Sequence, residues 1–351
     1  MTTGDGLAAA EKVRVSVLGT GSLGKHHARV YAELAATGNV DFVGVYDVVA
    51  ETARSIADKH GVPAFSSVEE AVEASDAASI VTPTPSHFNL ARLFLERSKH
   101  VLVEKPMTAS AAEAAGLVAL ARERHCILQV GHIERFNPVF KYLQSVASEP
   151  RFIEAHRLSP YPARSTEIGV VLDLMIHDLD VVLAFVNSPV KSLDAVGVPV
   201  LSASEDIANA RLRFANGCVA NLTASRISPE QMRKIRVFSG GAMTSYVSLD
   251  YRAQEGFIYR IAKADETGSS LLKKLLRAKD SAIVSQFGGK RIVREPVPII
   301  REEPLKLELQ DFLECVRAQR TPMVSGESAK RALDLAFEIT RQIRAGLNTS
   351  L

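Results

Sequence analysis

The stretch from Val13 to Asp47 constrains the fold more than any other. An apolar strand (Val13, Val15, Val17, Leu18) runs into Gly19-Thr20-Gly21-Ser22-Leu23-Gly24, then a helix, then a second strand Asp41-Phe42-Val43-Gly44-Val45-Tyr46 that ends on Asp47. The glycines permit a tight turn and close backbone approach, and a helix that opens directly after the turn offers N–H groups without intrahelical partners to an anion. Strand, turn, helix, strand and acid in that register are what a dinucleotide requires. Gly19, Gly21, Ser22, Leu23 and Gly24 are therefore the expected pyrophosphate turn. Asp47 stands where a carboxylate bonds the adenine-ribose hydroxyls and repels a ribose phosphate, so NAD is expected over NADP.

Downstream, strands and helices alternate, the pattern of a doubly wound parallel sheet. Helices are expected over Glu51–His60 (stopped by Gly61), Val68–Ala74 (capped by Ser67), Phe88–Arg97 and Ser110–His125. Strands are expected over Ala78–Val81, Val101–Val103 and Ile127–Gly131, with an irregular turn forced by Pro83 and Pro85. Ligands of open sheets lie outside the carboxyl ends of the strands, so Thr82, Pro83, His87, Glu104 and Lys105 should border the nicotinamide half of the cofactor. After Gly131 the grammar changes. Arg151–Ser159, Val190–Val198, Asp206–Phe214, Cys218–Arg226, Lys234–Ser239, Ala242–Leu249 and Gly256–Ala262 read as strands, with hairpin signals at Asn216-Gly217 and Gly240-Gly241. The helix Val170–Val186 interrupts them, and helices Leu305–Ala318 and Ser328–Leu347 close the chain. The expected architecture is an α/β Rossmann domain over 12–131 and an α+β domain with a mostly antiparallel open sheet over 132–351.

Composition narrows the function classes. A net charge of +2, with 46% hydrophobic and 23% charged residues, describes an ordinary globular protein without a nucleic-acid footprint. The N-terminus lacks a basic and apolar leader, no run of about eighteen apolar residues occurs, and Cys126, Cys218 and Cys315 are too dispersed for a disulfide framework or a metal cage. A cytoplasmic enzyme without a bound metal is expected. The basic amphipathic run Leu271–Lys279, inside the biased segment Ser269–Gly289, is too short to anchor firmly on a membrane.

On the apolar helix Val170–Val186, Asp173, His177 and Asp180 recur at spacings of four and three, on one face. Unpaired burial of such groups costs a few kcal/mol, so they line a cavity or satisfy one another. Oxidising a secondary alcohol requires a base, a cation near the developing alkoxide and nicotinamide within hydride reach. His177 suits the base and Lys105 the cation, with Asp173 orienting the imidazole; the roles of Lys105 and His177 exchange if desolvation lowers the lysine pKa.

Gly19-x-Gly21-x-x-Gly24-x-x-His27, Glu104-Lys105-Pro106 and Asp173-x-x-x-His177, in that order, resemble the Gfo/Idh/MocA oxidoreductases across essentially the whole chain. The resemblance implies a catalytic group of Lys105, Asp173 and His177, and an antiparallel sheet that serves both substrate binding and assembly into a homodimer or homotetramer. Glu167-Ile168-Gly169-Val170-Val171-Leu172, before the aspartate, carries one glycine where many members are glycine-rich.

The runs Gly131–Pro138 and Val171–Asp180 resemble the nucleotide-sugar branch of the family, whose members oxidise the sugar C3 hydroxyl to a ketone that a downstream aminotransferase aminates. Arg135, Asn137, Arg157, Tyr161 and Arg164 are the expected substrate residues, the arginines suited to pairing with a diphosphate. Oxidation of a free sugar or inositol, an NAD-using glycosidase in which the nicotinamide cycles, and a non-catalytic dinucleotide-bound regulator are the alternatives.

Overall fold

The computed structural model describes residues 12–38, 40–161, 168–240, 244–262, 282–287 and 290–349. Arg164 and the basic run Leu271–Lys279 lie outside the described residues. The chain divides into two compact units, one comprising the residues up to Gly131 together with Leu305–Glu327, the other His132–Pro304 with the residues from Ser328 onward.

The first unit is built on a parallel sheet in the order β2-β1-β3-β4-β5, from β1 (Arg14–Leu18), β2 (Asp41–Tyr46), β3 (Ala77–Ile80), β4 (His100–Glu104) and β5 (Leu128–Gly131). Val15, Val17, Ile80, Val101 and Val103 are fully buried, as strands covered on both faces must be. The helices are α1 (Gly24–Ala36), α2 (Ala50–His60), α3 (Val68–Ala74), α4 (Thr84–Glu96) and α5 (Ala111–Glu123). Local chemistry sets their ends. Gly61 adopts a left-handed conformation that stops α2, Ser67 Oγ accepts from Glu70 N at the start of α3, and Ser110 with Glu113 forms a reciprocal cap on α5. One local expectation fails: no irregular turn persists through Pro85, because α4 already starts at Thr84. Proline in a first turn lacks only an N–H that would have had no partner there.

The segment Leu305–Glu327, expected in the second domain, packs with the first unit. It holds most of α8 (Pro304–Ala318) and the first two residues of the closing helix that starts at Gly326, and it covers the edge of the parallel sheet at β5. Val130 N donates to Val324 O (3.1 Å), Gln129 Nε2 donates to Glu308 O (3.1 Å), and Gln129 bridges Ser325 in antiparallel fashion. An open strand edge is a template for unwanted pairing, and this return of the chain closes it.

The second unit holds β6 (Pro150–Leu158), β7 (Val190–Val198), β8 (Ile207–Phe214), β9 (Val219–Ser225), β10 (Met232–Ser239), β11 (Ser245–Asp250), β12 (Glu255–Ile261), β13 (Ala282–Phe287) and β14 (Lys290–Pro296). They form one sheet in the order β13-β14-β12-β11-β10-β6-β9-β8-β7, antiparallel throughout except for the parallel pair β6 and β9. That pair is joined by a crossover containing α7 (Ile176–Val186), the connection parallel strands need. Alternation along the strands is clean: in β8, Ala208, Ala210, Leu212 and Phe214 are buried while Ile207, Asn209, Arg211 and Arg213 are exposed. A mostly antiparallel sheet was legible in this pattern. The helix α6 (Pro138–Val146) and the strands β13 and β14 were not foreseen, and the chain closes with α9 (Gly326–Thr349).

Candidate active site

At the end of β1 the backbone turns at Gly19, whose φ of +88° and whose missing side chain are both required: a Cβ there would lie 2.5 Å from Val81 O. A Cβ on Gly24 would collide with the Gly19 carbonyl. Gly21 differs, since a Cβ would meet no protein atom within 4 Å. Two glycines thus shape the turn, and the third leaves open space above it. α1 starts at Gly24 without a side-chain cap, so its first N–H groups are presented beside that space. Asp47 is held facing the turn: Oδ2 accepts from Thr20 N (2.7 Å) and Thr20 Oγ1 (3.1 Å), and Oδ1 accepts from Val49 N (2.9 Å). Ser22, Leu23 and Val48 are exposed around it. The cradle, the uncapped helix and the fixed carboxylate fit a dinucleotide diphosphate and its ribose.

The carboxyl ends of β3 and β4 carry the next expected residues. Thr82 accepts at its carbonyl from His87 Nε2 (2.7 Å) and at Oγ1 from Ser86 Oγ (2.7 Å), while His87 Nδ1 lies 2.9 Å from Pro106 O. Burial lowers the His87 pKa, against the two carbonyls and Glu104, which favour the protonated ring. Pro83 forms the cap position of α4. His87 therefore ties the Thr82 loop to the Lys105-Pro106 segment, whose peptide is cis.

Glu104 is buried with Oε1 3.3 Å from Nε2 of the fully buried His27, and its Oε2 accepts from Lys105 N (3.2 Å). Burial opposes its ionisation, but His27, the Lys105 charge and the Lys105 N–H hold the carboxyl below its ordinary pKa. Gly131, opposite Glu104 in the β4–β5 register, leaves room for that carboxylate, which would stand 2.7 Å from a Cβ. Lys105 itself is half-buried.

In the second unit, Asp173 lies in a π-helical turn (Val171–Met175) that opens directly into α7, with His177 one residue past the junction. Single π-turns inside helices occur frequently at functional sites. Asp173 and His177 are both half-buried, and the His177 ring meets the edge of His132 with centroids 6.1 Å apart. Glu205 packs against Gly169 so closely that a Cβ would collide with its carboxylate, which explains why the run before Asp173 keeps its one glycine. The expected face of three polar groups is not uniform: Asp180 is buried and pairs with Arg135 (3.5 Å).

Three of the expected substrate residues are engaged in internal pairing. Arg157 is buried, and its guanidinium donates through Nε and Nη2 to Asp178 Oδ2 and Oδ1 (2.9 and 3.0 Å) and through Nη1 to Glu134 Oε1 (3.0 Å). Asn137 is equally committed: Nδ2 donates to Glu134 Oε2 (3.1 Å) and Tyr251 O (3.0 Å), and Oδ1 accepts from Val139 N as the cap of α6. Arg135, pairing with Asp180, also lies over the Phe140 ring at 5.3 Å. These three side chains are directed into the protein because α7 and the turn at Ile133–Phe136 bring buried carboxylates to them. Tyr161 is exposed and faces Arg226 at 5.8 Å. Arg226 is itself fully buried, donating to Asp206 Oδ1 (2.8 Å) and to Ile168 O (2.6 Å) at the entry to the π-turn. The sequence carried no local signal for the partners Glu134, Asp178 and Asp206, which lie far from their arginines along the chain.

Among the described residues no group of His, Cys, Asp and Glu side chains is arranged to hold a metal, and no helix is long and apolar enough to cross a membrane. The three cysteines are free, with Cys218 and Cys315 buried.

Two family models match parts of the chain: the oxidoreductase family with an NAD-binding Rossmann fold over residues 13–132, and the GFO/IDH/MocA C-terminal domain over 146–242. The UDP-N-acetylglucosamine 3-dehydrogenase of Acidithiobacillus ferrooxidans is 34% identical over 95% of this chain and 98% of its own length. This chain belongs to the Gfo/Idh/MocA oxidoreductase family. The solved structure of that Acidithiobacillus enzyme superposes with a TM-score of 0.84, covering 95% of this chain and 98% of that one. The scyllo-inositol 2-dehydrogenase (NAD(+)) of Bacillus subtilis is 26% identical over 97% of this chain and 96% of its own. A levoglucosan dehydrogenase solved with NADH and levoglucosan shares the fold (TM-score 0.79) at 16% identity, covering 95% of this chain and 98% of that one. The Gfo/Idh/MocA chain described here is thus an NAD-dependent oxidoreductase.

Proposed function

We propose that the protein oxidises the C3 hydroxyl of a nucleotide sugar, UDP-N-acetylglucosamine in the first instance, to the 3-keto sugar. The observation that carries this reading is 34% identity, sustained over 95% of the chain, to a dehydrogenase of that name. Bound NAD supplies the hydride acceptor. His177 takes the hydroxyl proton, Asp173 orients and polarises the imidazole, and Lys105 stabilises the negative charge that develops on the substrate oxygen. Thr82, Pro83, His87 and Glu104 shape the wall against which the nicotinamide half binds, and Asp47 selects NAD over NADP. The 3-keto product suits a downstream aminotransferase, and the reaction belongs to the cytoplasm.

A homodimer or homotetramer formed through the open face of the nine-stranded sheet is part of the same proposal. Phe152, Phe238, Tyr246 and Tyr259 stand opposite one another on β6, β10, β11 and β12, with successive ring centroids 5.9, 4.6 and 5.1 Å apart, and Phe238 is 40% exposed. An aromatic row left partly open to solvent, with Phe238 at its centre, favours cover by another protein surface.

The test is a panel of UDP-sugars, free sugars and inositols with excess NAD, coupled to a ketone trap that draws the equilibrium forward. UDP-N-acetylglucosamine should give the fastest NADH formation. Turnover of inositol with no response to any UDP-sugar would instead favour the polyol chemistry named for the Bacillus relative, and cycling without net NADH would indicate glycosidase chemistry.

A further inference from the structure

We propose that Arg233, with Arg252 beside it, forms the subsite for the diphosphate of a nucleoside-diphosphate substrate, the role that Arg157 cannot fill; this rests on the nucleotide-sugar reading above. In the β6–β10 ladder Arg233 stands directly opposite Arg157, on the face where Ile153, Ala155, Ile235 and Val237 are buried. Two guanidiniums on adjacent strands thus compete for the same carboxylates, and Arg157 wins both. Asp178 is engaged at both oxygens by Arg157, and Glu134 divides its oxygens between Arg157 and Asn137.

Arg233 Nη1 comes no nearer than 3.8 Å to Glu134 Oε1, an oxygen already accepting from Arg157, and its side chain remains 54% exposed. The turn after β11 adds charge at this point: Tyr251 N donates to Arg233 O (2.8 Å), and the exposed Arg252 that follows is close enough for its charge to act on the Arg233 guanidinium. Burial first, then the positive charges of Arg157 and Arg252, outweigh Glu134 and Asp178 and hold the Arg233 guanidinium below its ordinary pKa. Counting formal charges, Arg157 and Arg233 are matched by Glu134 and Asp178, and the charge of Arg252 acting on Arg233 leaves this cluster with one positive charge in excess. A planar fork that is partly desolvated, short of an anion and open to solvent is suited to bidentate pairing with phosphate oxygens.

The position also suits the reaction. Asp178, which Arg157 grips, follows His177 directly in sequence, and Glu134 is two residues beyond His132, whose ring meets His177. Arg233 is the cross-strand neighbour of that assembly, so an anion held there lies beside the elements that carry the proposed base. Phosphate binding at Arg233 would then place the attached sugar toward His177.

Isothermal titration of the NAD-loaded full-length protein with UDP and with uridine tests the proposal. Wild type should bind UDP more tightly than uridine, and Arg233→Met should lose roughly 10- to 100-fold of the UDP affinity, the scale of charge-assisted hydrogen bonds, with uridine affinity unchanged. Arg233→Lys should recover part of the loss, since the charge returns without the fork. Arg252→Ala, at an exposed position that does not endanger folding, should show a smaller loss in the same direction. In turnover, Arg233→Met should raise KM for the UDP-sugar far more than it lowers kcat.

Equal UDP affinity in Arg233→Met and wild type, while wild type oxidises a UDP-sugar, overturns the subsite and leaves the nucleotide-sugar reading intact. A wild-type protein that binds UDP no better than uridine overturns the subsite as well. If wild type oxidises only phosphate-free sugars and binds neither ligand, the nucleotide-sugar reading falls and takes the subsite with it.

Discussion

Replacing Arg157 by methionine should be among the most destabilising single changes in the second unit. The side chain is 4% exposed and satisfies Asp178 twice and Glu134 once, at 2.9 to 3.0 Å. Without it, two carboxylates that are themselves 5% and 4% exposed keep their charge or take up protons at a cost. Breaking one side of a buried ion pair typically costs about 3–5 kcal/mol. Arg233, 3.8 Å from Glu134, and Asn137 soften the loss at Glu134, but among the described residues Asp178 has no second cation within salt-bridge distance. The expected loss is therefore at the lower end, about 3 kcal/mol, or roughly two orders of magnitude in the opening equilibrium.

Peptide-resolved hydrogen exchange is the suitable assay, because a chain of two units need not unfold in one step. Peptides from β6 and α7 should exchange roughly a hundredfold faster, while those from β1 and β3 stay near wild type. The paired change Arg157→Met with Asp178→Leu removes both the cation and its main anion, and exchange of well-packed apolar groups for a buried pair is often neutral. It should recover most of the protection. A single variant as protected as wild type, or a double variant no better than the single, would refute the view that Arg157 is consumed by internal pairing.

The glycines of the turn should separate folding from binding: Gly21→Ala leaves stability near wild type because its Cβ meets nothing within 4 Å, yet weakens NAD binding, whereas Gly24→Ala destabilises the first unit through collision with Gly19; thermal melts with and without NAD distinguish them. Asp47→Asn should narrow the preference for NAD over NADP in a binding titration, since the like-charge repulsion of a ribose phosphate is removed. Lys105→Ala and His177→Ala should each lower kcat by about 10²-fold or more, with the double variant little worse than either and NAD affinity retained, as measured by steady-state rates and cofactor titration. Burial opposes ionisation of Asp206, but the N–H groups of Leu201 and Val200, with Arg226 and Ser202, hold its carboxyl well below the usual range. A depressed folded pKa stabilises above the unfolded value of about 3.9 and loses that contribution as pH falls toward the folded value, so acid titration of stability should be steeper in wild type than in Asp206→Asn.

Much of the first unit was legible because its constraints are local. Ser67, Ser110 and Gly61 set helix ends from residues within one turn, and the Gly19–Gly24 turn announces itself by spacing. The return of Leu305–Glu327 to the first unit was not legible, since it depends on one backbone hydrogen bond, one side-chain-to-backbone hydrogen bond and a bridge between residues about 180 to 200 positions apart, and no local pattern encodes an open edge. The π-turn holding Asp173 was likewise hidden: a run read as regular helix by periodicity carries an extra residue in one turn, and that shift is a tertiary outcome around Gly169 and Glu205.

The arginines show where sequence reasoning reaches its limit. Arg157 and Arg233 have the same residue type, sit opposite each other on neighbouring strands and point to one face, so composition and strand parity treat them alike. What separates them is the supply of carboxylates. Asp178 arrives on α7 and Glu134 on the turn after β5, and both reach Arg157 with short, nearly complete coordination. A buried guanidinium must be paired, so the deeper of the two takes the anions and the shallower keeps its charge for solvent or ligand. The same logic sorts the polar residues of α7: Asp178 and Asp180, buried, are spent on Arg157 and Arg135, while Asp173 and His177, half-buried, retain exposure. Charge type is written in the sequence, but whether a charge is structural or available is decided by depth and by the number of counter-charges that fold against it.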